Sequence, residues 1–394
     1  MKKVKKKILF VYSKMIVGGS TTSLLSLLNC LDYNLYDIDL LLYSNDGELQ
    51  DQINPQVNIL PPVNKDIGRL KKIVQLEFWH SLIRARYLSK KKGNALINAQ
   101  FMAKYEAEAC PEMEQTYDVG ISFLEFWPME FLVRRVKAKK KIGWIHIDIK
   151  EAGLVSEVNY DTFDALDKIV MVSQSCMKNM KMIYPALSGK IVCVENILSS
   201  DVIRNMSKRS SSMSFENDGL RFVSVCRLVF ASKGLDRVVN AFSRLKKENN
   251  LEESVCWYII GDGPDRERLE QMIKENNLGS HIKLLGQQIN PYCIEKYMDI
   301  FLLPSRYEGK PMAVTEAQML GLVPIVCSYS SAHEQIKDGY DGIIAQNNDE
   351  DIYLQLKSVL QGKYDLGLMK KRITEKDYSN VMEIDKVTNL LNEA

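Results

Sequence analysis

The segment Ser305-Arg-Tyr-Glu308-Gly309-Lys310-Pro311-Met312-Ala313-Val-Thr-Glu316-Ala317 sets two carboxylates with seven residues between them, between an apolar run and a helical pattern. Gly309 and Pro311 compel a tight turn, so backbone N–H groups within 310–313 open a helix. Such an opening suits a diphosphate or a sugar's hydroxyls. Glu316, one turn into that helix, can accept hydrogen bonds from a ribose diol, and Glu308 can face a sugar. The plainer alternative, that both glutamates complement a helix dipole, would suit a lone glutamate better than a pair split by Gly and Pro.

A second group is Val225-Cys-Arg227-Leu-Val-Phe-Ala-Ser-Lys233-Gly234-Leu-Asp. Arg227 lies just past a strand's carboxyl end, where doubly wound sheets bind ligands, and Lys233 just before a helix. Two cations bracketing one loop can clamp a pyrophosphate leaving group; singly, each would pass for a solvated charge. Gly18 and Gly19 follow the first strand and allow close approach of a phosphate. No GxGxxG fingerprint is present, which speaks against a dinucleotide cofactor. His146, in Trp144-Ile-His146-Ile-Asp148, can bond a sugar hydroxyl or the reacting centre, and equally fits a core or rim position. His80, His281 and His333 carry no functional pattern. Gly261-Asp-Gly263-Pro264 reads as a turn whose glycines let segments pack. Asp37 and Asp39 read as solvent-facing alternation, not as a metal pair.

These groups need strands to end beside them. Ile8–Tyr12, Asp39–Tyr43, Val119–Phe123, Lys141–His146, Lys168–Ser173 and Lys190–Val194 read as buried parallel strands, with a helix over Ser20–Leu31. Residues 64–110 are helical in pattern, basic, and carry Phe78, Trp79 and Tyr87. Glu195–Ser200 reads as a hinge and 205–219 as a loop. Strands Arg221–Cys226, Val255–Ile260, His281–Leu285, Ile300–Leu303 and Pro324–Cys327 then alternate with helices 234–248, 265–276, 291–298 and 312–320, and helices 350–361 and 380–393 follow. The class is α/β with parallel, doubly wound sheets. The expected domains are 1–198, 199–372, and a terminal helix within 373–394 that packs back on the first.

The chain of 394 residues is 46% apolar and 26% charged, with net charge +2. Residues 1–150 carry +7 and the remainder −5, so the first half faces something anionic. Lys90-Lys-Lys92, Arg134-Arg135 and Lys139-Lys-Lys141 make its basic clusters, and an anionic membrane surface and an ordinary solvated face fit them equally. The near-neutral total excludes a dedicated nucleic-acid binder. Eight cysteines without a CxxC pair read as buried free thiols of a reducing compartment. The basic start (Lys2, Lys3, Lys5, Lys6, Lys7) and short apolar run do not make a signal peptide, and no run reaches ~18 apolar residues. The expectation is a cytoplasmic protein, at most peripheral on the inner face of the membrane.

Taken in order, Gly18-Gly19, Arg227, Lys233-Gly234, the Gly-Asp-Gly-Pro turn and Glu308 to Glu316 resemble the family 4 glycosyltransferases. The likeness is clearest over 220–345 and looser over 1–60 and 140–200. It implies the GT-B fold, two facing Rossmann-like domains with an interdomain cleft, and a retaining transfer from a nucleotide sugar without a metal or other cofactor. It further implies that Arg227 and Lys233 hold the diphosphate, Glu316 the ribose, and Glu308 with the 309–313 backbone the donor sugar. Gly286 then lies near the base, Gly19 at the diphosphate and His146 beside the donor sugar. The chain departs from the family at Lys310, usually apolar or aromatic, and at Gly321-Leu-Val-Pro324, shifted by one residue. UDP is the default nucleotide, and a glycan or lipid-linked saccharide the expected acceptor, placed on the 64–110 side. Rival readings are a nucleotide-sugar epimerase and a non-catalytic binding subunit.

Overall fold

The apolar runs form strands because both of their faces are covered. In β1 (Lys6–Tyr12), Ile8, Phe10 and Tyr12 enter one core layer and Leu9 and Val11 the other, and none is more than 1% exposed. Burial of such side chains contributes about 1.5–3 kcal/mol each. β1 joins β2 (Tyr36–Leu42), β3 (Asn58–Ile59), β4 (Thr116–Ser122), β5 (Lys137–Ile145), β6 (Lys168–Met171) and β7 (Ile191–Cys193) in one sheet of order β3-β2-β1-β4-β5-β6-β7, parallel throughout.

A second parallel sheet is built the same way. It holds β8 (Arg221–Val225), β9 (Cys256–Ile260), β10 (Ile282–Gly286), β11 (Ile300–Leu303), β12 (Val323–Cys327) and β13 (Ile343–Ala345) in the order β10-β9-β8-β11-β12-β13. Phe222, Trp257, Ile259, Ile300 and Leu302 face one layer, and Val223, Ile260, Phe301 and Leu303 the other. Helices cover both faces, as a parallel sheet requires. In each sheet the strand order reverses once, between β1 and β4 and between β8 and β11. The loops leaving those strands splay apart, and ligands bind in the crevice so formed.

This computed structural model describes residues 5–63, 76–92, 94–209, 215 and 219–393. The chain divides into two compact units, Met1–Ile197 with Val381–Ala394, and Leu198–Asn380. The helix Glu383–Asn392 buries Val387, Leu390 and Leu391 in the layer that holds Ile8 and Phe10. Lys6 Nζ donates to the Leu391 carbonyl at 3.0 Å, Lys140 Nζ to that of Leu390 at 2.9 Å, and the Glu195 N–H to Glu383 at 2.9 Å.

Several expectations are corrected. The 205–219 loop begins within a helix, Ser200–Ser207, and 210–214 and 216–218 lie outside the described residues. So do Lys2, Lys3 and 64–75 of the basic helical stretch, whose remainder forms helices Leu76–Lys92 and Leu96–Glu108. The helices Trp127–Arg135, Gln174–Ile183 and Leu366–Thr374 were not expected. Trp127 through Leu132 are all buried, which erases the polar half of the pattern, and the other two bury only an i, i+4 pair. Cys30 is exposed, and Cys193, Cys226 and Cys293 are half-buried. Asp39 does not face solvent freely: it accepts from the Tyr117 hydroxyl at 2.8 Å and from Asn58 at 2.7 Å. Two of the three basic clusters serve the fold. Arg134 pairs with Glu130 and Glu108, Arg135 with Glu112, Lys139 with Asp118 and Lys140 with Glu393, while Lys141 Nζ donates to the Val133 carbonyl.

Candidate functional site

In the second unit the site grows from the β8–β11 switch point. After β8 the chain turns through the exposed Arg227 into a single-turn helix, Phe230–Lys233. Gly234 follows at φ 62°, and a Cβ there would lie 2.3 Å from the Pro304 carbonyl oxygen, so only glycine lets this segment press against the end of β11. The expected helix 234–248 accordingly starts afresh at Leu235. The two loops are stitched together: the Arg306 N–H donates to the Ser232 carbonyl at 2.7 Å, and the Arg306 guanidinium forks onto Asp236 at 2.9 and 2.8 Å and reaches the Phe230 carbonyl.

This packing brings Lys233 Nζ to 2.5 Å from Glu308 Oε1, which also accepts from the Ser305 hydroxyl at 2.6 Å. The two side chains are only 23% and 11% exposed. Burial pulls the Lys233 ammonium down, but the Glu308 carboxylate outweighs it and leaves the pKa above the ordinary lysine value. Arg227 meets no carboxylate among the described residues. The Gly261–Gly263 turn packs on this loop as expected: a Cβ at Gly261 would strike the Cys226 carbonyl and one at Gly263 that of Leu228.

Beyond Glu308, Gly309 and Lys310 lead to Pro311, which stands at the N-cap of the helix Met312–Met319 without any side-chain cap. The opening turn therefore presents backbone donors. Met312 is buried with Leu198, Ile203, Tyr292 and Met319, so it can offer only its backbone, while Ala313 is half-buried. Glu316 is 7% exposed. Burial pushes its carboxyl up to about 7, opposed by a hydrogen bond with Tyr292. Glu295, 1% exposed, is pushed well up by burial and by Glu316. Gly286 ends β10 at φ 69° and accepts the Gly261 N–H at 2.9 Å.

In the first unit the switch point lies between β1 and β4. Gly18 and Gly19 are exposed there, with open space where a side chain would stand. Tyr12 closes β1 with its hydroxyl 2.9 Å from Ser20 and 3.0 Å from Thr21, which fixes the helix Gly19–Cys30 against the strand end. His146 follows β5. Its N–H donates to Glu125 Oε2 at 3.1 Å, and its ring lies 4.9 Å from that of Phe123. Burial pushes the imidazole down to about 4, against a hydrogen bond to the Phe123 backbone.

The structure thus joins Lys233 to Glu308 beside the uncapped helix, holds Glu316 in a separate buried set with Tyr292 and Glu295, and keeps Gly18, Gly19 and His146 in the first unit. Sequence reasoning missed Ser305, Arg306, Asp236, Tyr292, Glu295 and Glu125. Glu125 carried a readable signal, a carboxylate just past a strand's carboxyl end.

Two sheets, each Rossmann-like and each with ligand-suited groups at its switch point, define the GT-B fold. Residues 208–378, which lie within the second unit, match the family described as glycosyl transferases group 1, and that unit belongs to this family. The UDP-Gal:alpha-D-GlcNAc-diphosphoundecaprenol alpha-1,3-galactosyltransferase of Escherichia coli is 31% identical over 147 residues, 36% of this chain and 38% of that protein. The amylovoran biosynthesis glycosyltransferase AmsK of Erwinia amylovora is 34% identical over 140 residues, 33% of each. The chain spans between about 28% and 53% of the length of the curated relatives it matches. Among solved structures, Anabaena HepE in complex with UDP and glucose shares the fold, with TM-score 0.72 at 13% identity over 98% of this chain and 99% of that one.

Proposed function

We propose that the chain is a retaining glycosyltransferase that moves a sugar from a nucleoside diphosphate, with UDP as the default, to a glycan or lipid-linked saccharide in surface polysaccharide synthesis. The observation that carries this reading is the Lys233–Glu308 pair at the second switch point, beside an uncapped helix N-terminus, in a unit of the group 1 family.

Breaking a sugar–phosphate bond builds negative charge on the diphosphate and oxocarbenium character on the sugar. Lys233, Arg227 and the N–H groups opening Met312–Met319 supply positive charge for the leaving group. Such preorganised donors contribute about 3–4 kcal/mol each to the transition state. Without donor, Lys233 is neutralised by Glu308; a diphosphate competes for the ammonium and leaves the Glu308 carboxylate for the sugar. Because side chains and a helix meet that charge, a resident metal has no assigned task. Glu316 in its carboxylate form accepts from the ribose, and the 309–313 backbone, Lys310 and Gly286 line the remaining donor contacts. The acceptor attacks from the leaving-group face and a phosphate oxygen takes its proton.

The galactosyltransferase relative is named for a sugar carried on diphosphoundecaprenol, which supports an acceptor of that class. A seat on anionic membrane narrows to one helix. On Leu76–Lys92, Trp79, Ile83 and Tyr87 recur every fourth residue, 44%, 65% and 62% exposed, beside Arg84, Arg86 and Lys90 to Lys92. No helix among the described residues is long and apolar enough to cross a membrane.

Thermal stabilisation by UDP, GDP and ADP, followed by nucleotide release from the matching sugar donors with and without a saccharide acceptor, tests the reading. Stabilisation by one nucleotide and acceptor-dependent release are expected; no response to any nucleotide would sink it. Release of a free epimerised donor would point to the epimerase instead.

A further inference from the structure

The mechanism above spends its charged groups on the leaving group and leaves a half-buried acid in the first unit without a task. Glu125 lies three residues past β4, His146 directly past β5, and Tyr12 at the end of β1, so neighbouring strands deliver all three to the switch point between β1 and β4. Glu125 makes no ion pair among the described residues, although burial pushes its carboxyl up. A fold gains little from a half-buried acid without a cation, and perturbed groups of this kind concentrate where a ligand completes them.

The imidazole beside it is incomplete as well. His146 Nε2 is buried and meets no partner among the described residues. A buried ring nitrogen of this kind waits for a ligand group, and the described residues supply none.

Both groups are held firmly. The His146 N–H fixes one Glu125 oxygen at 3.1 Å, and the Phe123 ring, 4.9 Å away, backs the imidazole. Phe126, next to Glu125, adopts φ 65° and ψ −122°, a conformation costly to a residue with a side chain. It opens the helix Trp127–Arg135, whose Glu130 N–H donates to its carbonyl at 3.0 Å. The turn is thereby pinned with Glu125 aimed back at the strand ends.

We propose that Glu125 is a sugar-binding residue, whose second carboxyl oxygen and the unpartnered Nε2 of His146 form a two-point clamp for the hydroxyls of a hexose. The clamp deepens the glycosyltransferase reading and rests on it. A carboxyl oxygen and a neutral ring nitrogen suit a polyol, whose hydroxyls can both donate and accept, and suit a phosphate poorly, because neither group is cationic. The hexose comes from the donor or from the acceptor, and kinetics separate the two.

The experiment uses the full chain, UDP, UDP-glucose, UDP-galactose and their N-acetyl counterparts, with methyl glycosides of glucose, galactose and N-acetylglucosamine as surrogate acceptors. Glu125→Gln keeps an amide oxygen for the His146 N–H but replaces the second carboxyl oxygen. Its UDP affinity should match wild type while kcat/KM for transfer falls about tenfold, the difference between a charge-assisted and a neutral hydrogen bond. A raised KM for the UDP-hexose assigns the clamp to the donor, and a raised KM for the glycoside assigns it to the acceptor. Wild-type kcat and KM in Glu125→Gln for both substrates would overturn the proposal and reduce Glu125 to a brace for His146. Glu125→Ala checks the direction, with a larger loss at unchanged UDP affinity. A wild-type chain that binds no UDP would instead bring down the transferase reading, and the clamp with it.

Discussion

Lys233 and Glu308 meet as an ion pair at the crevice between β8 and β11, whereas Glu125 and His146 meet at the crevice between β1 and β4 as two groups that burial drives towards neutrality. The sheets share one strand order apart from the added β7 of the first, and both crevices follow from the same reversal of that order. Their chemistry differs because the loops differ. The second unit puts glycine at 234 so that two loops press together and share charges; the first puts an aromatic residue in a costly turn at 126 and holds an imidazole without a second partner. A charged crevice suits a phosphate and a neutral one suits hydroxyls.

The comparison breaks most sharply at Lys233 and Glu308. Alanine at either should lower turnover at least ~100-fold with donor saturating, measured as UDP release. A loss there no larger than the loss at Glu125 would erase the contrast between the crevices.

The two buried titrations should next pull stability in opposite directions. Glu316 has a folded pKa of about 7 against an ordinary 4.5. Its folded state holds the proton longer, so this contribution is complete below pH 4.5 and lost as pH rises through about 7. The loss amounts to about 3 kcal/mol at ~1.4 kcal/mol per pH unit. His146 falls from 6.5 to about 4, so its contribution is complete above pH 6.5 and lost as pH falls through about 4. Its size is similar, about 3 kcal/mol. In urea titrations, Glu316→Gln should lose less stability than wild type between pH 5 and 8, and His146→Gln should lose less between pH 7 and 4. Stability curves parallel to wild type in both variants would remove the electrostatic half of the comparison.

Gly234→Ala should cost about 2 kcal/mol or more, from the strained backbone and the clash with Pro304, and should weaken UDP binding as Lys233 moves off Glu308. A lowered melting temperature with unchanged UDP affinity would show that the loop contact does not position Lys233.

The smallest effects test the units themselves. Ser173 caps Gln174–Ile183 in the first unit and Asn348 caps Asp349–Leu360 in the second, each by accepting a backbone N–H. Alanine at either should cost about 1 kcal/mol. If Ser173→Ala and Asn348→Ala shift different unfolding transitions, the units melt separately; a common shift makes them one cooperative body.

Much of this architecture could be read in advance because parallel strands buried on both faces leave uninterrupted apolar runs such as Ile8–Tyr12 and Ile300–Leu303. The paired glutamates and the cationic loop stood out because Gly and Pro punctuate them. Glu295 did not, since a lone carboxylate looks solvated until burial is known, and Glu125 offered only its place just past a strand end. The Arg306–Asp236 fork joins residues 70 positions apart, and nothing local in the sequence pairs them. Helix Trp127–Arg135 hid because Trp127 to Leu132 are all covered. The basic clusters misled because charge counts do not show partners: Arg134 and Lys139 look available until Glu130 and Asp118 are found beside them.

The return of residues 381–393 to the first unit sets an order on biosynthesis. A ribosome delivers β1 long before the helix whose Val387, Leu390 and Leu391 cover its layer, so the strands of the first unit wait, with that flank uncovered, for residues 381–393. The contiguous stretch 198–380 has all its own strands in hand earlier. The unit translated second is therefore the one able to mature first.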